Sequence, residues 1–225
     1  AVAARGRPVS AARELILSRI RRALEAEPAS GPPIAEAAVA PADRGIAAAD
    51  RFAATVADYR AEVLRVADDE VAAALDAALD RLGADRVAIA DGLAERWRPS
   101  RPAVAGNALD LDALDALDAV VTGSRLAIAR TGTIVLDHAA DQGPRRLTLV
   151  PDRHLCVVRA ADVVADVADA FAAIPPPARS AGPLTLVSGP SATSDIELQR
   201  VEGVHGPRTL VVVLVDDIDR GGSQR

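Results

Sequence analysis

Residues 209–215 read TLVVVLV, with no polar side chain after the opening threonine. A strand with one wet face alternates apolar and polar residues, so an unbroken apolar run is a strand buried on both faces. Parallel sheets covered by helices bury strands in this way. Shorter runs of the same kind precede it and predict further strands. They are Arg86–Ala90 (RVAIA), Ala119–Thr122 (AVVT), Leu126–Ala129 (LAIA), Thr133–Leu136 (TIVL), Leu147–Val150 (LTLV), His154–Val158 (HLCVV) and Leu184–Val187. Gly, Pro and Asp punctuate them, and their crowding in the middle of the chain predicts hairpins within the sheet. Helical spacing predicts helices over Ala47–Val66 and Asp69–Leu82, the latter carrying Val71, Leu75, Leu79 and Leu82 ahead of Gly83. A weak helical patch surrounds Trp97, and Ala161–Ile174 and Ser194–Glu202 read as further helices. The expected class is α/β, a sheet covered by helices on both faces.

An N-terminal helical extension precedes this domain. Residues Ser10–Ala26 place Leu15, Ile16, Ile20 and Leu24 near one face, with Ser10 as N-cap. The following stretch, PASGPPIAEAAVAPADRG, reads as a linker or extended arm. The expected division is therefore 1–45 for helix and linker and 46–225 for the α/β domain. The helix is expected to pack away from its sequence neighbours or onto another subunit, and a homo-oligomer is one outcome of that.

Composition narrows the function classes. A formal net charge of −6 gives no basic field for a polyanion, and 2% aromatic residues leave little for bases to stack on, so nucleic acid is not an expected partner. Every basic side chain is Arg, which removes a Schiff-base lysine. Cys156 is the only cysteine, so the chain cannot build a disulfide or a multi-thiolate iron–sulfur or zinc site by itself. No cofactor and no metal is expected on the chain. The opening residues lack a secretory apolar core and Leu210–Val215 is too short to cross a bilayer, so a cytoplasmic protein without a membrane anchor is expected.

Three stretches carry candidate chemistry. In SGPSATSDIE, Ser188, Gly189, Ser191, Thr193 and Ser194 lie between a strand and the expected helix from Ser194. A helix N-terminus at the carboxyl edge of a sheet is a place where anions bind. Ser194 with Glu197 is equally a capping box, with Asp195 complementing the helix dipole. His205, in the turn-rich GVHGPR, is a candidate acid or base, as are Asp195 and Glu197, and a hydrogen-bonded loop histidine explains His205 as well. In TGSRLAIARTGTIVLD, Gly132 and Thr133 suit either a tight turn or a pocket loop. In GPRR, Arg145 and Arg146 form a potential clamp for a carboxylate or phosphate, or are solvated arginines. His154 and Cys156 read as strand residues, and His138 as a surface loop residue.

Taken together, AIARTGTIVLD, RRLTLVPDRHLCVV and SGPSATSDIELQRVEGVHGPRTLVVVLV, in this order and spacing, resemble the LutC/YkgG family of LUD-domain proteins. The resemblance runs from about Ala119 to Asp217, and RELILSRIRRAL is similar to the family's opening helix. It implies a fold like that of the NagB/RpiA/CoA-transferase superfamily. It also implies a role in oxidising L-lactate to pyruvate beside partner proteins, at least one carrying iron–sulfur clusters. Arg130 departs from the pattern, because the family commonly has an acid before TGT, as in ETGT. Two other functions stay open: a stand-alone enzyme acting on a sugar phosphate, acyl-CoA or nucleotide, and a non-catalytic assembly protein.

Overall fold

The computed structural model describes residues 11–26, 46–174, 182–194, 200–203 and 205–216. The chain divides into two compact units, Ala1–Ala38 and Val39–Arg225. In the first, helix α1 (Ala11–Ala26) follows the predicted periodicity, and its Leu15, Ile16 and Ile20 are exposed.

In the second unit the elements run in the order α2 (Ile46–Asp58), β1 (Glu62–Ala67), α3 (Val71–Arg81), β2 (Val87–Ile89), β3 (Val104–Ala105) and α4 (Leu111–Asp115). There follow β4 (Ala119–Thr122), β5 (Leu126–Ile128), β6 (Thr133–Leu136), α5 (Arg145–Leu149), β7 (Arg153–Arg159), β8 (Val163–Val164) and α6 (Val167–Ala173). The last described elements are β9 (Thr185–Val187), β10 (Ala192–Ser194), β11 (Arg200–Glu202) and β12 (Thr209–Asp216). Six strands form a parallel sheet in the order β1-β12-β7-β4-β2-β3. A second sheet, β8-β5-β6-β9, contains the predicted β5–β6 hairpin.

The unbroken apolar strands now have their reason. In β12, Leu210, Val212 and Leu214 face a core shared with Phe52 and Val56 of α2 and with Ile134 and Leu136 of the second sheet. The alternate Val211, Val213 and Val215 face Val71, Leu75 and Leu79 of α3. In β7, Cys156 and Val158 join the first core, and Leu155 and Val157 the second. The second sheet turns its other side, with Leu126, Ile128 and Val135, to Ala170 of α6. The α/β class therefore stands, with a parallel central sheet covered on both faces.

Four local expectations are corrected. Ala47–Val66 is not one helix: α2 ends at Asp58, Arg60 turns the chain with φ 70°, and β1 begins at Glu62. Leu147–Val150 is not a strand, because Arg145–Leu149 makes one helical turn that seats Leu147 against Ala88, Leu114 and Val120. Ala161–Ile174 is interrupted by β8, and its helix begins only at Val167, where Asp166 caps it. The expected helix Ser194–Glu202 fails at both described ends, since Ser194 lies in β10 and Arg200–Glu202 form β11, paired antiparallel with Ser194 opposite Arg200; residues 195–199 lie outside the described residues. No helix among the described residues is long and apolar enough to cross a membrane.

Candidate functional site

β9 belongs to the second sheet, so the loop Ser188–Ser191 that follows it does not open at the carboxyl edge of the parallel sheet. It lies instead beside the amino ends of β7 and β12, where His154 and Leu210 pair, and helix α5 closes the other side. These elements and the His205–Pro207 turn enclose a cavity of about 330 Å³. The structure thus gathers Arg145, Ser188, Gly189, Ser191 and His205 of the predicted residues around one space. Asp195 and Glu197 fall outside the described residues, and of Thr193 and Ser194 only the strand position is described.

Much of the loop's polarity is spent internally. The Ser191 amide donates to Pro207 O at 2.7 Å, and its Oγ accepts from the His205 amide at 3.1 Å, pinning the loop to the turn. Ser188 Oγ lies 2.7 Å from Thr133 Oγ1, which in turn lies 2.7 Å from Thr131 Oγ1. Gly189, with φ +98°, is required by packing: a Cβ there would stand 2.7 Å from Tyr59 Cβ and 2.9 Å from its carbonyl oxygen. Gly132 meets the same constraint, a Cβ falling 2.8 Å from Val56 N. Gly132 and Thr133 do not line the cavity. With Ser194 in a strand, the helix expected to begin there does not, and among the described residues the anion-binding case built on its N-terminus falls.

Charge supplies a better case. No Asp or Glu lies among the described residues that line the cavity, although the chain has 32 acids against 26 arginines. Arg145 is exposed at the wall, and its guanidinium has no partner among the described residues. Its neighbour Arg146 is committed to structure: Nε donates to Leu109 O at 3.0 Å and an Nη to Asn107 O at 2.8 Å. The predicted clamp therefore reduces to one arginine. His205 is exposed, its imidazole also unpartnered among the described residues. Arg130, the departure from the family pattern, pairs with Asp166 at 2.6 Å and stands outside the cavity.

His154, read from sequence as a plain strand residue, is the unexpected wall member. It is 1% exposed, and its Nε2 lies 2.8 Å from Thr122 Oγ1. Its Nδ1 has no hydrogen-bond partner among the described residues. Burial holds the imidazole down at about 4, so the ring is neutral near pH 7. Behind it, burial pushes the Cys156 thiol up to about 12, which removes it as a nucleophile. His138 braces the same wall from outside, with Nε2 2.9 Å from Thr185 Oγ1 and Nδ1 3.2 Å from Gly143 O. Only the pairing of His154 with Val120 and Leu210, far apart in sequence, reveals its place.

The carboxyl ends of β4 and β7 border a smaller cavity of about 230 Å³ that includes Arg125, Asp137 and Asp141. Asp137 and Arg125 face each other at 3.6 Å, and burial raises the Asp141 carboxyl. Its charges are largely mutual, whereas the first cavity is lined by Arg145, whose guanidinium has no partner among the described residues, and by the His154 ring. Among the described residues no three acids, histidines or cysteines gather as a metal site would require.

Comparison with known proteins agrees with this architecture. The family model described as LUD domain matches residues 46–215. The chain is 45% identical over 167 residues to lactate utilization protein C of Deinococcus radiodurans, covering 73% of this chain and 78% of that one. It is 32% identical over 112 residues to lactate utilization protein C 1 of Bacillus mycoides (48% and 47% covered) and 29% identical over 154 to the uncharacterized protein YkgG of Escherichia coli (67% and 64%). The crystal structure of a DUF162 family protein from Deinococcus radiodurans superposes with a TM-score of 0.64 at 35% identity, covering 75% of this chain and 96% of that one. The family model over most of the chain, the relative at 45% identity and the solved structure agree, and the chain belongs to the LUD domain family.

Proposed function

We propose that this chain serves lactate utilisation as the component that binds the hydroxy-acid anion, with electrons passed to separate iron–sulfur proteins. The observation that carries the reading is the cavity at the amino ends of β7 and β12, with Arg145 at its wall lacking a partner among the described residues and no acid among its described lining residues. A guanidinium in such a setting is matched to a carboxylate. The names of the relatives in Deinococcus radiodurans and Bacillus mycoides support the pathway. Oxidation of lactate removes two electrons, and a chain with one buried cysteine and no lysine needs a redox carrier from elsewhere.

Calorimetric titration of L-lactate into the chain and into Arg145→Gln tests the site, and dye reduction by the chain, its iron–sulfur partners and the mixture tests the role. The reading expects lactate binding that Arg145→Gln weakens, and turnover in the mixture alone. Lactate oxidation by the isolated chain, or a mixture no faster than the partners, refutes the role. A second reading rests on volume, because about 330 Å³ exceeds what a three-carbon acid fills. It makes the chain an enzyme for a larger anion such as a sugar phosphate or acyl-CoA, and turnover of such a compound by the purified chain would favour it.

A further inference from the structure

The buried histidine at the cavity wall is wired in a way that fixes which of its nitrogens carries the proton. Thr122, 0% exposed, closes β4, and its Oγ1 lies 2.9 Å from Gly123 O and 2.8 Å from His154 Nε2. Cys156 Sγ stands 3.4 Å from the same Gly123 carbonyl. A hydroxyl has one proton to give, and a carbonyl only accepts. When Thr122 donates to Gly123 O, its oxygen faces Nε2 with a lone pair, and Nε2 must supply the hydrogen. Every group in the chain Nε2–H to Oγ1–H to O=C is then satisfied. The reverse arrangement, with Thr122 donating to Nε2, makes one hydrogen bond fewer in a fully buried place.

We propose that His154 reads the 2-substituent of the bound acid: its Nδ1, held bare by the Thr122 relay, accepts a hydrogen bond from a 2-hydroxyl and disfavours a 2-oxo group. The inference rests on the hydroxy-acid reading of the cavity and deepens it. His154 lines the cavity, and Nδ1 is the ring nitrogen left without a protein partner among the described residues. Burial keeps the ring neutral, so that nitrogen presents a lone pair and not a second N–H. A 2-hydroxyl donates to it, whereas a 2-oxo oxygen sets lone pair against lone pair. Arg145 meets the carboxylate of either acid, so discrimination falls to His154, which acts as a specificity-determining residue.

The test uses the full chain labelled with 15N-histidine. Two-bond nitrogen–proton correlation spectra at pH 7 identify the protonated nitrogen of His154, and titrations with L-lactate, pyruvate and propionate give relative affinities. The expected result is a proton on Nε2, a bare Nδ1, and lactate bound roughly tenfold or more tighter than pyruvate, in keeping with sites built to hydrogen-bond a hydroxyl. Thr122→Val, which keeps shape and removes the relay, is expected to erase that preference while propionate binding persists, and Thr122→Ser to retain it. A proton on Nδ1 in the free protein overturns the inference whatever binds. Equal affinity for lactate and pyruvate with a bare Nδ1 overturns it and leaves the carboxylate site standing. Failure of all three acids to bind overturns the site reading and the inference together.

Discussion

Acidification from pH 7 to pH 4 is expected to destabilise the fold mainly through His154. The ring is held at about 4 by burial, against an ordinary 6.5. In the unfolded chain it takes up a proton as pH falls through 6.5; in the folded protein it does so only near 4. Between those values the unfolded state binds more protons, so stability falls as pH falls. The gap corresponds to about 3 kcal/mol across the window, with about 2 kcal/mol already lost at pH 5. That is a large share of the roughly 5–15 kcal/mol that holds a domain together. Asp141, raised by burial, works in the opposite sense, because the native state accepts its proton first. Asp68, Asp76 and Asp118 are lowered, chiefly by Arg96, Ser100 and Arg86 respectively against their burial, and cost stability only below the ordinary carboxylate range. Urea unfolding followed by circular dichroism at pH 7, 6, 5 and 4, for wild type and His154→Gln, isolates the histidine, since every other group is common to both. Wild type is expected to lose about 3 kcal/mol more than the variant. Equal losses would refute the reasoning.

Further outcomes follow from packing and pairing. Gly189→Ala is expected to cost about 1–3 kcal/mol in thermal or chemical unfolding, because the new Cβ meets Tyr59 and φ is +98°; an unchanged midpoint refutes the packing role. Arg145→Ala is expected to leave stability within about 0.5 kcal/mol and abolish carboxylate binding, while Arg146→Ala costs about 1–2 kcal/mol through its two lost carbonyl contacts; the reverse pattern would exchange their roles. Cys156 is expected to resist thiol reagents at pH 8 in the folded protein and to react on unfolding, and rapid stoichiometric labelling of native protein counts against its burial.

The sheet was legible wherever a run had to be apolar on both sides, as in β4, β6, β7 and β12. It was obscured where local chemistry imitated another element. β1 carries Glu62 and Arg65 at the sheet edge, with no glycine or proline separating it from α2, so its boundary rests on Arg60 in a left-handed conformation. The turn of α5 is too short for helical periodicity to register. At the end of β10, the sequence spacing of Ser194 and Glu197 matched a capping box although Ser194 is in a strand. Within the site, Ser188, Ser191 and His205 stood out by composition, yet hydrogen bonds to Thr133, Pro207 and each other account for much of that polarity. Nothing local separates Arg145 from Arg146, or marks His154, because each depends on partners elsewhere in the chain.

The place of β12 between β1 and β7 has a consequence for how the protein comes into being. Glu62 pairs with Val211, and β12 is the strand that joins β1 to the rest of the sheet. A ribosome must therefore deliver nearly all of the described chain before β1 finds its one neighbour among the described strands. Contacts of such separation are slow to close, and the waiting strand edges are exposed to other chains meanwhile. A stop codon before residue 209 would leave β1 unmoored and both faces of the sheet short of their central strand. Late truncation should thus yield insoluble material cleared by proteolysis, with no folded remnant retaining part of the site.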